Sequence, residues 1–209
     1  MSFNIAIIDY EMGNLKSIYK CLKYLDVRSA ITSDPKIILN ADGVILPGVG
    51  AFGDAIKHLK EKGLLDIIYQ LNNEGKPLFG ICLGLQLLFE TSSEMGSFRG
   101  LKLLKGEVIL FDVKKVIKVP HIGWNSVELL NRDHFLIQEI PNNTYFYFVH
   151  SFYSVPENEE NLLGLTKYGE IEFCSIVSND NIVATQFHPE KSSRYGIKIY
   201  QNFIDFCKK

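Results

Sequence analysis

No stretch of this sequence approaches the ~20 consecutive apolar residues that a bilayer-spanning helix needs, which sets aside a transmembrane helix. Charge of one sign is scarce as well. Lys and Arg number 22 against 24 Asp and Glu, a formal net charge of −2, so overall charge offers no electrostatic case for a nucleic-acid or anionic-membrane binder. The four cysteines, Cys21, Cys82, Cys174 and Cys207, lie far apart and form no CxxC pair. That spacing excludes a zinc ribbon or finger and gives no disulfide framework, so a cysteine that matters chemically acts alone. The N-terminal "MSFNIAIIDYEMGN" is too short in its apolar run, and too soon acidic, for a signal peptide. The expectation is a soluble cytoplasmic protein. Repeats, low-complexity tracts and linkers are missing too, and 209 residues suit one domain over 1–209.

What is present is a core-forming composition, with 46% hydrophobic and 22% charged residues. "FNIAII" (3–8) reads as a buried strand. "NLKSIYKCLKYLD" (14–26) reads as a helix with Ile18, Cys21, Leu22 and Leu25 on one face. "VRSAIT" is a second strand. A short helix follows, with Asp34 as N-cap and Pro35 at its first position. "GVILPGVG" (43–50) is a strand entering a glycine-rich loop. Helices are predicted around 52–60 and 64–73, then a strand at 77–81 and a helix from the Cys82 turn to about Glu90. Such alternation argues for a parallel sheet covered on both faces, with ligands at the carboxyl ends of its strands. The Tyr10–Asn14 segment, the "PGVG" loop and Cys82 all follow strands and should share one rim. From about 95 to 187 the pattern changes. "GEVILF", "KVIKVP", "TYFYFVH" and "NIVATQF" predict a more antiparallel region that extends the sheet or forms a smaller second one. "SSRYGIKIYQNFIDFC" returns to helix, with Cys207 as packing.

Cys82 sits in "GICLG", a G-x-nucleophile-x-G turn between a strand and a helix. Flanking glycines permit a tight backbone. The N–H groups of the helix that follows favour a thiolate and can hold an oxyanion. The competing reading is an inert, packed cysteine. A thiolate doing acyl transfer needs a base and an orienting group, and "QFHPEKSS" (186–193) offers both. His188 follows an apolar strand. Glu190, two residues on, falls on the same side in extended geometry and can accept from one ring nitrogen. The competing reading is a surface His–Pro turn beside a solvated Glu. His58 in a Lys-rich helix reads as solvated, and His134 as part of a polar turn. His121 and His150 follow apolar runs and read as structural histidines near a site.

Taken in order, "PGVGAF", "GICLGLQ" and "QFHPEKS" resemble the class I (triad) glutamine amidotransferases. "DYEMGNLKS", "VPHIGWN" and "YFYFVHSFY" narrow the likeness to the glutaminase subunits of imidazole glycerol phosphate synthases, over essentially the whole chain. The resemblance implies a flavodoxin-like α/β domain with a mainly parallel central sheet and a smaller antiparallel region. It implies that Cys82 attacks the glutamine amide, that His188 moves protons and that Glu190 orients it. Leu83 and Val49 match the oxyanion-hole positions. Gly50, Gln86, His150, Ser151 and Phe152 match those around bound glutamine. Asn14, Trp124, Asn125, Tyr147 and Lys191 match interface positions for a (β/α)8-barrel synthase subunit that takes the ammonia in histidine biosynthesis.

In such pairs the glutaminase is weak until the partner binds. No metal or cofactor is implied, and "PGVGAFGD" lacks the Lys-Ser/Thr ending of a P-loop. Glu11 and Ile122 depart from the family pattern without touching the triad. The sequence leaves open a paralogue feeding ammonia to surface-sugar amidination, a non-catalytic scaffold and a stand-alone cysteine hydrolase.

Overall fold

The computed structural model describes residues 3–209. Its first third alternates strand and helix as the sequence predicts: β1 (Ile5–Ile8), α1 (Leu15–Tyr24), β2 (Ser29–Thr32), α2 (Pro35–Leu39), β3 (Gly43–Leu46), α3 (Phe52–Glu61), α4 (Leu64–Asn73) and β4 (Leu78–Ile81). Asp34 caps α2 by accepting from the Lys36 N–H at 2.8 Å, with Pro35 in the first turn, where its missing donor costs nothing.

Helix α5 (Leu83–Leu87) is shorter than predicted. The carbonyls of Leu87, Phe89 and Glu90 accept from Leu101, Lys102 and Gly100, and that of Leu88 accepts from Leu103 and Leu104. The helix stops because its donors leave the i−4 ladder: Leu88 and Phe89 N–H bond to the i−3 carbonyls of Leu85 and Gln86, and Glu90 N–H goes to the Gly106 carbonyl, while the freed end carbonyls bind a returning loop. Two short strands, β5 (Thr91–Ser92) and β6 (Phe98–Arg99), precede that loop.

The rest of the chain is strand-rich: β7 (Gly106–Leu110), β8 (His121–Leu129), β9 (Thr144–His150), β10 (Phe152–Pro156), β11 (Leu162–Tyr168), β12 (Ile171–Asn179) and β13 (Ile182–Thr185), closed by α6 (Ser193–Cys207). "KVIKVP" is no strand. Asp112 accepts from Lys114 N–H, Lys115 N–H bonds back to the Asp112 carbonyl, and the Lys115 carbonyl is taken by Glu170. These bonds make a turn that docks on the β11–β12 hairpin.

The main sheet runs β2-β1-β3-β4-β13-β12-β11-β8-β9. Its first five strands are mutually parallel, in the 2-1-3-4-5 order of flavodoxin-like folds. The remaining four run antiparallel. Both expectations for residues 95–187 are thus realised, since a second sheet, β10-β7-β5-β6, also forms. "NIVATQF" departs from its predicted setting. β13 joins the parallel set beside β4, with Thr185 opposite Ile81, and only its other edge pairs antiparallel.

Successive strand residues feed opposite faces. Ile5, Ile7, Ile45, Phe79 and Val183 pack with Ile18 and Leu22 of α1 and Ile199, Tyr200 and Phe203 of α6. Ala6, Ile8, Val44, Leu46 and Ala184 pack under α2 to α5 and the second sheet. Both faces being dry explains why these strands are continuous apolar runs. Each such buried Ile contributes roughly 1.5–3 kcal/mol. Cys207 and Cys21 are partly buried and pack against the first of these cores. Among the described residues no helix is long and apolar enough to cross a membrane.

Candidate active site

Three loops leave the carboxyl ends of β1, β3 and β4 and meet, as the parallel reading predicts. Tyr10, 1% exposed, donates its hydroxyl hydrogen to the Pro47 carbonyl at 2.7 Å and so ties the first loop to the second. Its phenol is held well above the usual range by burial and by the nearby Cys82. Cys82 follows at φ 55°, ψ −109°, and its N–H bonds to the Thr185 carbonyl at 2.7 Å. The strained torsion belongs to the cysteine itself, a backbone state costing of order 1–3 kcal/mol. The flanking glycines play a different part from the one expected. A Cβ on Gly84 would overlap the Leu46 carbonyl, and one on Gly80 would press on the Gly84 carbonyl and Ala184. Their bareness lets α5 lie directly on β3 and β4.

His188 leaves β13, the strand next to β4, so the two chemical residues arise from adjacent strand ends although 106 positions separate them in the chain. Its N–H is held by the Tyr147 carbonyl at 3.0 Å and its own carbonyl accepts from Ser192 Oγ. Glu190 Oε1 lies 2.9 Å from His188 Nδ1, and both side chains are almost fully buried. The contact is made through a 3-10 turn over Pro189–Lys191, not through extended alternation. Lys191 N–H bonds to the His188 carbonyl and Ser192 N–H to that of Pro189. Burial opposes charge on His188, but the charge of Cys82 together with Glu190 outweighs it and raises the pKa to about 10. His188 Nε2 makes no hydrogen bond of good geometry to any protein atom, so the pull of Cys82 on it is mainly electrostatic.

Cys82 and His188 line one cavity of about 290 Å³ together with Val49, Gly50, Leu83, Gln86, His150, Ser151 and Phe152. Every residue predicted for the oxyanion hole or the glutamine site borders it. Glu94 and Val149 border it too, and sequence reasoning missed both. Glu94 sits in the turn after β5, with no periodicity to mark it. It is drawn in because its carboxylate accepts from Phe52 N–H at 2.7 Å. Gln186 was also missed. It is fully buried, and its side-chain amide donates to Cys82 Sγ at 3.7 Å. Its place two residues before His188 was the available signal.

The predicted interface residues divide. Trp124 is 51% exposed, meets Tyr147 edge-to-face at 6.3 Å, and Lys191 Nζ lies 5.7 Å from the Tyr147 ring centre. "TYFYFVH" alternates strictly. Phe146 and Phe148 point inward, and Tyr145, Tyr147 and Val149 outward. Asn14 borders a small void with Pro47, Val49, His188 and Glu190. Asn125 faces away from Trp124, its amide bonding to the Lys167 carbonyl and to His121.

His121 and His150 are buried against each other, with His121 Nδ1 3.0 Å from His150 Nε2. Burial lowers their pKa values to about 4 and about 3, respectively, so both are neutral at physiological pH. His134 accepts from Leu136 N–H, and His58 stands 3.5 Å from Glu11. Among the described residues no three His, Cys, Asp or Glu side chains converge as a metal site.

A strand-end thiol and an imidazole on one cavity, with a buried carboxylate behind the ring, are the parts that thiol acyl transfer needs. The family profile of the class-I glutamine amidotransferases matches residues 6–206. The "Imidazole glycerol phosphate synthase subunit HisH" of Moorella thermoacetica is 52% identical over 204 residues, covering 98% of this chain and 95% of its own. The protein of the same name from Sulfurimonas denitrificans is 45% identical over 205 residues, covering 97% and 98%. Among solved structures, that of PurLQS from Thermotoga maritima superposes with a TM-score of 0.78 at 19% identity, covering 99% of each chain, a likeness of fold. The chain belongs to the class-I glutamine amidotransferases and, within them, to the HisH subunits of imidazole glycerol phosphate synthase.

Proposed function

We propose that the cavity at Cys82 cleaves the side-chain amide of glutamine. Cys82 Sγ attacks the amide carbon, and the carbonyl oxygen turns toward the N–H groups of Leu83 and Val49. His188 passes a proton to the departing nitrogen, ammonia leaves, and a γ-glutamyl thioester remains on the sulfur. A water then loses its proton to His188 and attacks the thioester, which releases glutamate and restores the thiolate. Glu190 fixes the His188 ring and stabilises its charge.

Both amide hydrogens of Gln86 are spent, on the Phe152 carbonyl and on Gln186 Oε1, each at 3.0 Å. Only Gln86 Oε1 remains, an acceptor suited to the ammonium of glutamine beside the Glu94 carboxylate. The backbone of Gly50 and of His150 to Phe152 is left for the substrate's carboxylate. The observation that carries this reading is the shared cavity of Cys82 and His188, with Glu190 at 2.9 Å behind the ring.

The chain is a glutaminase subunit of imidazole glycerol phosphate synthase, working in histidine biosynthesis. The surface-sugar alternative finds no support, since the relatives cited above carry the name of an imidazole glycerol phosphate synthase subunit. We assign the partner as a (β/α)8-barrel synthase subunit seated on the face of Ile122, Trp124, Tyr145 and Tyr147. Ile122, Trp124 and Tyr145 are exposed apolar groups, and Val149 carries the same face to the cavity. Steady-state glutamine hydrolysis with and without the barrel subunit tests the assignment. Turnover is expected to be low alone and to rise with the partner and its ligand. Equal turnover in both would overturn the partner reading and favour a stand-alone hydrolase.

A further inference from the structure

The side chains behind the cavity form a run of hydrogen bonds in which each donor is fixed by its neighbour. Asn125 Oδ1 accepts from Ser126 N–H at 2.9 Å, which sets its amide so that Nδ2 faces inward. That nitrogen donates one hydrogen to the Lys167 carbonyl at 3.0 Å and has the other for His121 Nε2 at 3.3 Å. The opposite end is fixed equally firmly. His150 Nδ1 lies 2.7 Å from the Phe152 carbonyl, which can only accept, so Nδ1 carries the hydrogen. In a neutral ring His150 Nε2 is then an acceptor. His121 Nδ1, 3.0 Å away, must donate to it, which leaves His121 Nε2 to accept from Asn125. Burial keeps both rings neutral.

The run does not stop at Phe152. The same carbonyl accepts from Gln86 Nε2, whose second hydrogen goes to Gln186 Oε1. Gln186 is thereby oriented with its own Nε2 toward Cys82 Sγ at 3.7 Å. One chain of contacts thus joins a residue beside Trp124 to the nucleophile, through groups that are all buried or half-buried.

We infer that Gln186 is a positioning residue for Cys82, donating to its sulfur, and that Asn125, His121, His150 and Gln86 hold Gln186 in that orientation and tie it to the partner-facing strand β8. This deepens the glutaminase reading and rests on it. The donors of this network are fixed by their partners, and flipping one member leaves buried groups unpaired. The strand that carries Trp124 on one face carries Asn125 on the other, so a shift of β8 reaches the sulfur without crossing the cavity.

The test uses the full chain and two electrophiles, iodoacetamide and the glutamine analogue 6-diazo-5-oxo-norleucine, with Cys82 modification followed by mass spectrometry. Labelling of the native chain by the analogue reports on the glutaminase reading independently of the variants. Gln186→Met keeps the length and removes the donor without adding a charge. It is expected to slow iodoacetamide alkylation of Cys82 about tenfold at neutral pH and to move the pH–rate profile upward. The titratable groups around the sulfur are His188 after β13, Tyr10 of the first loop, His150 of β9 and Glu94 after β5, and all are unchanged in that variant. His121→Phe keeps the stacking on Tyr168 and Phe148 while deleting the bond. It should slow alkylation several-fold, and His121→Gln, which can donate and accept, should restore it.

A native chain that is labelled, with variants that fold yet keep the native profile, overturns the inference and spares the reading. Should the variants fail to fold, nitrogen NMR of the native histidines decides the matter. Both His121 and His150 are expected as neutral Nδ1–H rings between about pH 5 and 8. An Nε2–H or protonated ring at either position overturns the chain of donors.

Discussion

The two halves of the main sheet divide the work. The parallel half, β2 to β13, delivers Cys82, the Val49 loop, His188 and Glu190, all from strand ends. The antiparallel half and its hairpins deliver the wall at His150, Ser151 and Phe152 and the exposed aromatic face. Chemistry thus sits where parallel strands all end on one rim. The antiparallel edge keeps one face dry and one face free, which suits it to the proposed recognition. The seam is β13, parallel to β4 on one side and antiparallel to β12 on the other.

This division can be broken first at the nucleophile. Cys82→Ala is expected to reduce glutamine hydrolysis by roughly 10⁴-fold or more, measured as glutamate release with the partner present. Glu190→Gln keeps the shape of the turn but weakens the hold on His188. A drop in kcat of order 10²–10⁴-fold is expected, with the pH–rate profile displaced, and steady-state assays across pH check it. On the recognition side, Trp124→Ala should weaken binding of the barrel subunit by more than about tenfold in calorimetry. Its unfolding midpoint should hardly move, because the ring is half exposed.

Two stability effects sharpen the comparison and are smaller. Cys82→Gly relieves a positive φ and should stabilise the fold by about 1 kcal/mol while abolishing turnover, as urea unfolding would show. His188 carries a pKa raised in the folded chain to about 10 from its ordinary 6.5. Its pairing therefore stabilises the fold fully below about pH 6.5 and is lost as pH rises through 10. Native unfolding free energy should fall over that window, and His188→Gln should flatten the slope.

Much of the parallel half was legible because each strand, loop and helix there is a local unit with its own period and cap. Asp34 and Pro35 announce α2, and "GICLG" announces the turn at Cys82. The pairing of β13 with β4 was not legible, since no local pattern records a contact across more than 100 residues. Helix α5 was overdrawn for a similar reason: its apolar spacing runs on to Phe89, but the Glu90 N–H bonds to the Gly106 carbonyl instead of continuing the ladder. Glu94 was invisible as a site residue because a single Glu in a turn carries no periodic mark, and Gln186 offered only its place two residues before His188. Trp124 was readable as an anchor only through resemblance, whereas Asn125, its neighbour, proves to face inward.

The most direct measurement of the central claim is the mass of the peptide adduct formed by 6-diazo-5-oxo-norleucine on the complex with the barrel subunit. One equivalent on Cys82 is expected, blocked by glutamine and absent from Cys21, Cys174 and Cys207. Labelling of another cysteine with Cys82 untouched, or no glutamine-protected labelling at all, would contradict the assignment of this sulfur as the nucleophile.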